Sequence, residues 1–301
     1  MGRAARGGVT PTLDAGALRS WIGRVETVAD VAAAAPLDRL AALLGRADAP
    51  RRAGDAVFPG GHWLYCLSAV SPDGLGADGH AARGGFLPPV SLPKRMAAGG
   101  ALRLLEPLRV GAVMERRSRV DDVAVKEGRS GTLVFVHVRH EIRQDSSLAL
   151  IEDQRIVYGG RGAKAAPLPR RPRSGQTPSW TRTVRPDAAL LFRYSALTYN
   201  GHRIHYDRRY ATEEEGYAGL VVHGPLIATY LLDLCLRNRP ESTLAEFAYR
   251  PIRPLFEGQA IVLAGGPGDS GETVELWALG PDGEVAIRAS ARFGAAATGL
   301  D

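Results

Sequence analysis

The chain has 301 residues, 45% hydrophobic and 23% charged, a globular composition with length for two ordinary domains. Its net charge of +6 comes from arginine spread along an Ala-, Gly- and Arg-rich chain, with no aromatic-interleaved basic strand. Nucleic acid is therefore not an expected partner, and an anionic small ligand fits the charge better.

The N-terminal MGRAARGGVTPTLD carries no hydrophobic signal core, so a cytoplasmic location is expected. Pro36–Arg46, PLDRLAALLGR, reads as a short helix with much polar surface. ALRLLEPLRVGAVMERRSRV, GTLVFVHVRHEI and LALIEDQRIVYG then read as strands, with the alternation of half-buried strands clearest in LVFVHVRHEI. GGRGAKAAPLPRRPRSGQTPS, Gly159 to Ser179, is dense in Pro, Gly, Ser and Arg without apolar periodicity, and reads as an exposed connector. Beyond it, GPLIATYLLDLCLRN is apolar nearly all round, with Pro225 at its first turn, and is expected to be a buried helix. The apolar run Leu220–Leu236 is broken by His223, Gly224 and Asp233, so it is not read as a membrane span. EFAYRPIRPLFEGQAIVLAG, ETVELWALG and EVAIRASARFG complete a second set of strands. Each set begins with Pro-Leu-x-x-Gly, Pro107–Gly111 and Pro254–Gly258. The repeat implies two copies of one α+β module, in which a central helix is wrapped by a curved antiparallel sheet. In that reading Pro36–Arg46 is the weaker first-half counterpart of the strong second-half helix, and the two sheets join into one.

Chemistry-bearing residues gather in NGHRIHYDRRYATEEEGYAGLVVHG, Asn200–Gly224. His202, His205 and Asp207 form a His-x-x-His-x-Asp pattern that His223 could complete around a metal ion. The interleaved Ile204 and Tyr206 point instead to an extended segment, and Asp207 reads as the N-cap of a short helix, so no metal is expected. Glu213, Glu214 and Glu215 form a carboxylate run that could supply a base, but their first reading is a solvated helix face. Asn200-Gly201 reads equally as a turn. The amide of Gly224, where the strong helix begins, is suited to stabilise negative charge. Cys66 and Cys235 lie in apolar runs without basic partners and read as buried free thiols of a reducing compartment.

FRYSALTYNGHRIHYD followed by GLVVHGPLIATYLLDL resembles the hydratase motif of MaoC-like enoyl-thioester hydratases, which have the hot-dog fold. FLPPVSLPKRMAAGG, PLRVG, KEGRSGTLVFVHVRHEI and EDQRIVYGG resemble the double-hot-dog branch with mesaconyl-C4-CoA hydratases and fungal mitochondrial 3-hydroxyacyl-thioester dehydratases. The resemblance implies a hot-dog module over 12–160, a linker at 161–179 and a second module, carrying the motif, over 180–296. It also implies hydration of a trans-2-enoyl-CoA, or the reverse, without a redox or metal cofactor. The acyl group could be a branched dicarboxylic one, and a carrier protein could replace coenzyme A. His205 falls at the motif's acid/base position, Asn200 at its aspartate position, and Gly224 at its oxyanion donor. Lys94, Arg95, Tyr199 and His223 are candidates for substrate contact. The aspartate position is a departure, because a carboxamide cannot take a proton at neutral pH. An acyl-thioester binding protein and a hot-dog thioesterase are the rival readings; a homodimer or higher oligomer is compatible with all three.

Overall fold

The computed structural model describes residues 13–128, 131–160, 177–269 and 271–294. The expected linker at 161–179 lies outside them except for its last three residues, as do the outermost residues of both expected modules.

A short helix α1 (Ala15–Arg19) leads into β1 (Val25–Val31) and α2 (Ala34–Leu43), and a long irregular stretch then precedes β2 (Lys94–Leu104). The hairpin strands β3 (Val113–Gly128), β4 (Gly131–Gln144) and β5 (Ser147–Gly159) close the first half. The second half runs β6 (Trp180–Val184), α3 (Ala188–Leu197), α4 (Gly224–Arg237), β7 (Leu244–Pro251), β8 (Ile261–Pro267), β9 (Thr273–Leu279) and β10 (Val285–Phe293). Among the described residues the ten strands form one antiparallel sheet ordered β1-β3-β4-β5-β2-β7-β10-β9-β8-β6. The order is a mirror about the β2–β7 junction, where Gly100 to Arg103 pair with Tyr249 to Glu246. β4 alternates as its sequence demands, with Val134, Val136, Val138, His140 and Ile142 facing inward.

The repeat is legible in individual hydrogen bonds. Val57 N–H donates to Leu108 O as Val222 N–H donates to Leu255 O; Gly111 N–H reaches Ala32 O as Gly258 N–H reaches Pro186 O. Arg46 N–H closes on Ala41 O as Asn200 N–H closes on Ser195 O. These pairs correct the expected correspondence of helices. Ala34–Leu43 matches Ala188–Leu197, so the counterpart of Pro36–Arg46 is α3, not the buried helix α4. The place of α4 in the first half is taken by a single 3₁₀ turn, Gly61–Leu64, and the irregular chain after it. Gly60 and Gly61 with Pro59 disfavour a long helix at that point, whereas Pro225 at the first turn of α4 favours one.

α4 is the centre of the main core. Leu226, Leu231 and Leu232 are fully buried, each side chain contributing about 1.5–3 kcal/mol by burial. That core draws Leu102, Ile142 and Leu150 from the first half and Phe247, Leu276 and Ile287 from the second. Asp233 on α4 is completely buried and accepts from Arg46 Nη1 at 2.7 Å, Arg182 Nη1 at 2.8 Å and Arg237 Nε at 2.8 Å. Arg46 belongs to the first half, so this cluster ties the halves together beneath α4. Both cysteines are buried and free, and burial pushes the Cys235 thiol up to about 12. No helix among the described residues is long and apolar enough to cross a membrane.

Candidate active site

Two chain segments meet over the N-terminus of α4. The first is the end of α3 with the NGHRIH stretch. The second is the irregular first-half segment 74–83. Their backbones touch through a pair of glycines: a Cβ on Gly79 would lie 2.0 Å from Gly201 O, and one on Gly201 would lie 2.6 Å from Gly79 O. Arg203 reinforces the contact, its backbone N–H donating to Asp78 O at 2.9 Å and its Nη1 to Ala77 O at 3.0 Å.

α3 ends in a Schellman cap, with Asn200 N–H on Ser195 O at 2.9 Å. The left-handed residue that this cap requires is Tyr199, φ 49°, and its ring is exposed. Asn200 then turns the chain again, its Oδ1 accepting from His202 N–H at 3.0 Å. The next residues, Arg203–His205, form a 3₁₀ turn, not the extended segment expected from the alternation of Ile204 and Tyr206. Asp207 caps the following turn through Tyr210 N–H at 3.0 Å, as expected, and pairs with Arg203 at 2.8 Å. That following turn is π-helical over Tyr210–Glu214, and it turns Glu215 into the protein. The expected solvated face therefore holds for Glu213 and Glu214 but not for Glu215, which is 6% exposed.

The result is a row of rings. His80 and His202 have centroids 4.3 Å apart, His202 meets His205 edge-on at 5.5 Å, and His205 stacks on His223 at 3.6 Å. Tyr194 meets His223 at 5.0 Å. His205 is 6% exposed and its Nδ1 lies 2.7 Å from Val221 O, a carbonyl that can only accept. Nδ1 therefore carries the proton, and Nε2 is left as a basic lone pair. Burial holds the His205 imidazole well below its usual pKa, aided by the neighbouring His223 and His202. Burial likewise brings His223 down to about 3 and His80 to about 4. His223 Nε2 is 2.9 Å from Ser195 Oγ, so Ser195 fixes the ring on which His205 stacks. Gly224 follows at the start of α4, where the first backbone N–H groups have no partner within the helix. A Cβ there would meet only Pro251 Cγ, at an ordinary 3.5 Å. Packing within the protein thus does not demand the glycine, and its open side suits close approach by a ligand.

A cavity of about 440 Å³, within the size range of ligand pockets, opens beside this row. Asp78, Arg83, Lys94, Tyr210, Glu214 and Glu215 line it, so both halves contribute. Lys94, a candidate for substrate contact, is buried at the head of β2 with its ammonium 4.7 Å from the Tyr217 ring centroid. Arg95 is half-buried beside it. The structure thus brings together His202, His205, His223, Asn200 and Gly224 around the start of α4, and sets Lys94 on the cavity wall. Asp78 and His80 are the members that sequence reading missed, whereas Glu215 belongs to the carboxylate run that could supply a base.

Metal-compatible clusters among the described residues are Asp78–His80–His202 and Asp121–His137–Asp153, with ligand atoms within 4.8 Å of one another. Neither is the His202–His205–Asp207 set suggested by spacing. In the first, Asp78 already faces His80 Nδ1 at 3.5 Å and Arg83 at 3.8 Å. In the second, Arg139 sits on Asp153 at 3.2 Å. Each carboxylate is thus already neutralised by a neighbour.

Residues 60–257 match the family model for hydroxyacyl-thioester dehydratase type 2. The chain belongs to this family. It is 42% identical over 279 residues to the mesaconyl-C(4)-CoA hydratase of Chloroflexus aurantiacus, covering 91% of this chain and 97% of that protein. It is 29% identical over 278 residues to the mitochondrial hydroxyacyl-thioester dehydratase type 2 of Schizosaccharomyces pombe, covering 82% and 90%. The crystal structure of a MaoC-like dehydratase from Phytophthora capsici matches with a TM-score of 0.66 at 14% identity, covering 94% of this chain and 98% of that one. The fold is therefore the MaoC-like hot-dog fold, and the family's activity is that of a hydro-lyase on acyl thioesters.

Proposed function

We propose that this chain adds water to a trans-2-enoyl-CoA, or removes it from the 3-hydroxyacyl thioester, at one site built around His205. The two halves act as hot-dog modules, 12–160 and 180–296, and the first gives up its central helix to make room for substrate. The supporting observation is the fixed tautomer of His205, buried with Nδ1 on Val221 O and stacked on the residue that precedes α4. A neutral imidazole with a free Nε2 can take a proton from water as its oxygen bonds to Cβ. The thioester oxygen gains negative charge in that step, and the Gly224 N–H at the helix start is the donor suited to it. Asn200 cannot take a proton, so its part is to hold the turn that carries His202 and His205 and to orient water or thioester.

The similarity to a mesaconyl-C(4)-CoA hydratase favours a branched dicarboxylic acyl group. A carboxylate of that group, or a coenzyme A phosphate, would suit the ammonium of Lys94 on the cavity wall and the guanidinium of Arg95. Coenzyme A in preference to a carrier protein, and a cytoplasmic location, belong to the same reading.

The test mixes the protein with crotonyl-, mesaconyl- and itaconyl-CoA, following enoyl absorbance beside free-thiol release. Loss of absorbance without thiol is the expected result. Thiol release would make the protein a thioesterase, and binding with neither change would make it a carrier. A parallel sample treated with a chelator should keep its full rate; loss restored by zinc would give Asp78, His80 and His202 a metal.

A further inference from the structure

The hydratase reading leaves one requirement without a residue. Water loses a proton to His205, but Cα must gain one, and position 200 offers a carboxamide where simple hydratases have a carboxylate. The structure holds a buried carboxylate nearby, Glu215, beside the side chains of Tyr210 and Tyr217. Both oxygens of Glu215 are buried without a hydrogen-bond partner, as is Nε2 of His202. Buried carboxylates are ordinarily satisfied, and one left bare costs stability. The bare atoms face each other: His202 Nε2 lies 3.5 Å from Glu215 Oε1, just beyond a hydrogen bond. Such contacts in unliganded sites commonly tighten when substrate binds. The turn preceding Glu215 is π-helical, a conformation rare enough to need a reason and often found at functional sites. Glu215 also lines the cavity, and His202 stands between it and His205 in the row of rings.

We propose that Glu215, acting through His202, supplies the carboxylate function that position 200 lacks, which rests on the hydratase reading. In the resting pair His202 is protonated on both nitrogens and donates its Nε2–H to the Glu215 carboxylate, so that the pair is neutral overall. His205 Nε2 takes a proton from water as the water oxygen bonds to Cβ, and the Cα–Cβ π electrons move toward the thioester. One proton of the His202 imidazolium passes to Cα, completing the 3-hydroxyacyl thioester. The proton now on His205 then returns to the pair, and the site is reset without any co-reactant. Glu215 is in this account a positioning residue: its carboxylate orients the His202 ring and balances the charge of the imidazolium until the proton leaves for Cα, which returns His202 to a neutral imidazole. The titratable groups packed around the pair are Asp78 and His80 from the first-half segment, Lys94 at the head of β2, Tyr210 and Glu214 on the π turn, Tyr217, and His205.

The experiment compares wild type with Glu215→Gln, Glu215→Asp and the double variant Asn200→Asp/Glu215→Gln on the best enoyl-CoA substrate. Binding of butyryl-CoA, which has no double bond to hydrate, is measured alongside. Glu215→Gln should lose about 10²-fold in kcat, the lower end of general acid/base effects. KM and butyryl-CoA affinity should stay within about threefold. Returning a carboxylate to position 200 should recover at least about tenfold of that loss. A folded Glu215→Gln protein within threefold of wild type would overturn the proposal, as would a double variant no better than the single one. The kcat/KM–pH profile of Glu215→Asp does not depend on the glutamine variant folding. Its carboxylate is one methylene farther from His202, so the profile should be displaced from that of wild type. An unmoved profile with only a lowered Tm would mark Glu215 as structural and overturn the proposal. Wild type is assayed first: if it hydrates no enoyl-CoA, the hydratase reading itself falls and Glu215 has no reaction to serve.

Discussion

The two halves of the molecule have one strand order and opposite uses. In the first, β3, β4 and β5 run 16, 14 and 13 residues, and the central helix is reduced to a 3₁₀ turn. In the second, β8, β9 and β10 run 7, 7 and 9 residues around a 14-residue helix whose start carries His223 and Gly224. Matched positions show the division of labour. Arg46 and Asn200 both follow the same Schellman cap. Arg46 spends its side chain on the buried Asp233, while Asn200 turns the chain toward His205. The two halves thus share one sheet, and in the proposed reading the first accommodates substrate while the second reacts.

The comparison breaks most sharply at His205, which belongs to the second half and stacks on His223 at the start of α4. General acid/base groups contribute about 10²–10⁴ in rate, and His205→Ala should fall in that range in kcat/KM with its fold intact. A folded variant within threefold of wild type would move the base to another residue of the ring row. Since burial keeps His205 neutral, wild-type kcat/KM should also show no ionisation of this group between pH 6 and 8.

Buried histidines should make both halves acid-sensitive. His205 and His223 of the second half, and His80 and His140 of the first, are held neutral by burial, with His80 at about 4 and His223 at about 3. Unfolding lets each take a proton near its ordinary 6.5, so the unfolded state binds more protons below that pH. Their stabilising contribution is complete above pH 6.5 and is lost as pH falls toward 4–3, at about 1.4 kcal/mol per pH unit for each group still neutral. Urea midpoints at pH 7, 6, 5 and 4 should fall accordingly, and a midpoint constant down to pH 5 would contradict the burial assigned to these rings.

Asp233 tests the link between halves. Its three arginines keep 23–39% side-chain exposure, so they can regain water when the carboxylate is removed. Asp233→Ala should therefore cost about 2–3 kcal/mol, less than the 3–5 typical of a fully buried pair, as read by urea denaturation. A loss under 0.5 kcal/mol would mean that the shared sheet alone holds the halves together.

Much of this was legible in the sequence, for identifiable reasons. Alternation in LVFVHVRHEI, the Pro-Leu-x-x-Gly repeat and the all-round apolarity of GPLIATYLLDLCLRN are local patterns, and each appears as read. The helix correspondence was misread because Pro36–Arg46 is the one helical pattern that the first half offers, so it was set against the strongest helix of the second. Only the hydrogen bonds of the cap show that Pro36–Arg46 matches α3. At the site, His205, Asn200, His223 and Gly224 came from one contiguous stretch. Asp78 and His80 did not, because a contact made by two facing glycines across more than a hundred residues leaves no periodicity to read. Glu215 reads as solvated in the sequence because burial of its carboxylate depends on a π turn, which no spacing rule for α-helices anticipates.

Asn200 gives a smaller effect than His205. Its Oδ1 holds His202 N–H, so Asn200→Ala should cost about 1–3 kcal/mol of transition-state stabilisation, the worth of a broken polar contact in a site. Asn200→Asp keeps an oxygen at that position and should retain substantial activity. Both are read from kcat/KM, and an alanine variant as poor as His205→Ala would make Asn200 more than a turn.

The smallest expected effect concerns the cap itself. Gly45 and Tyr199 occupy the same left-handed position, at φ 66° and 49°. Glycine adopts that conformation without penalty, whereas a residue with a Cβ pays roughly 1–2 kcal/mol. Tyr199 is 62% exposed, so little packing compensates the strain. Glycine also gains freedom in the unfolded chain, which offsets part of the relief. Tyr199→Gly should therefore raise stability by about 0.5–1 kcal/mol in urea denaturation. If the ring serves only the fold, kcat/KM will not change. If stability rises while KM for the enoyl-CoA also rises, the strained tyrosine is kept as a substrate contact, which the glycine of the first half has no need to make.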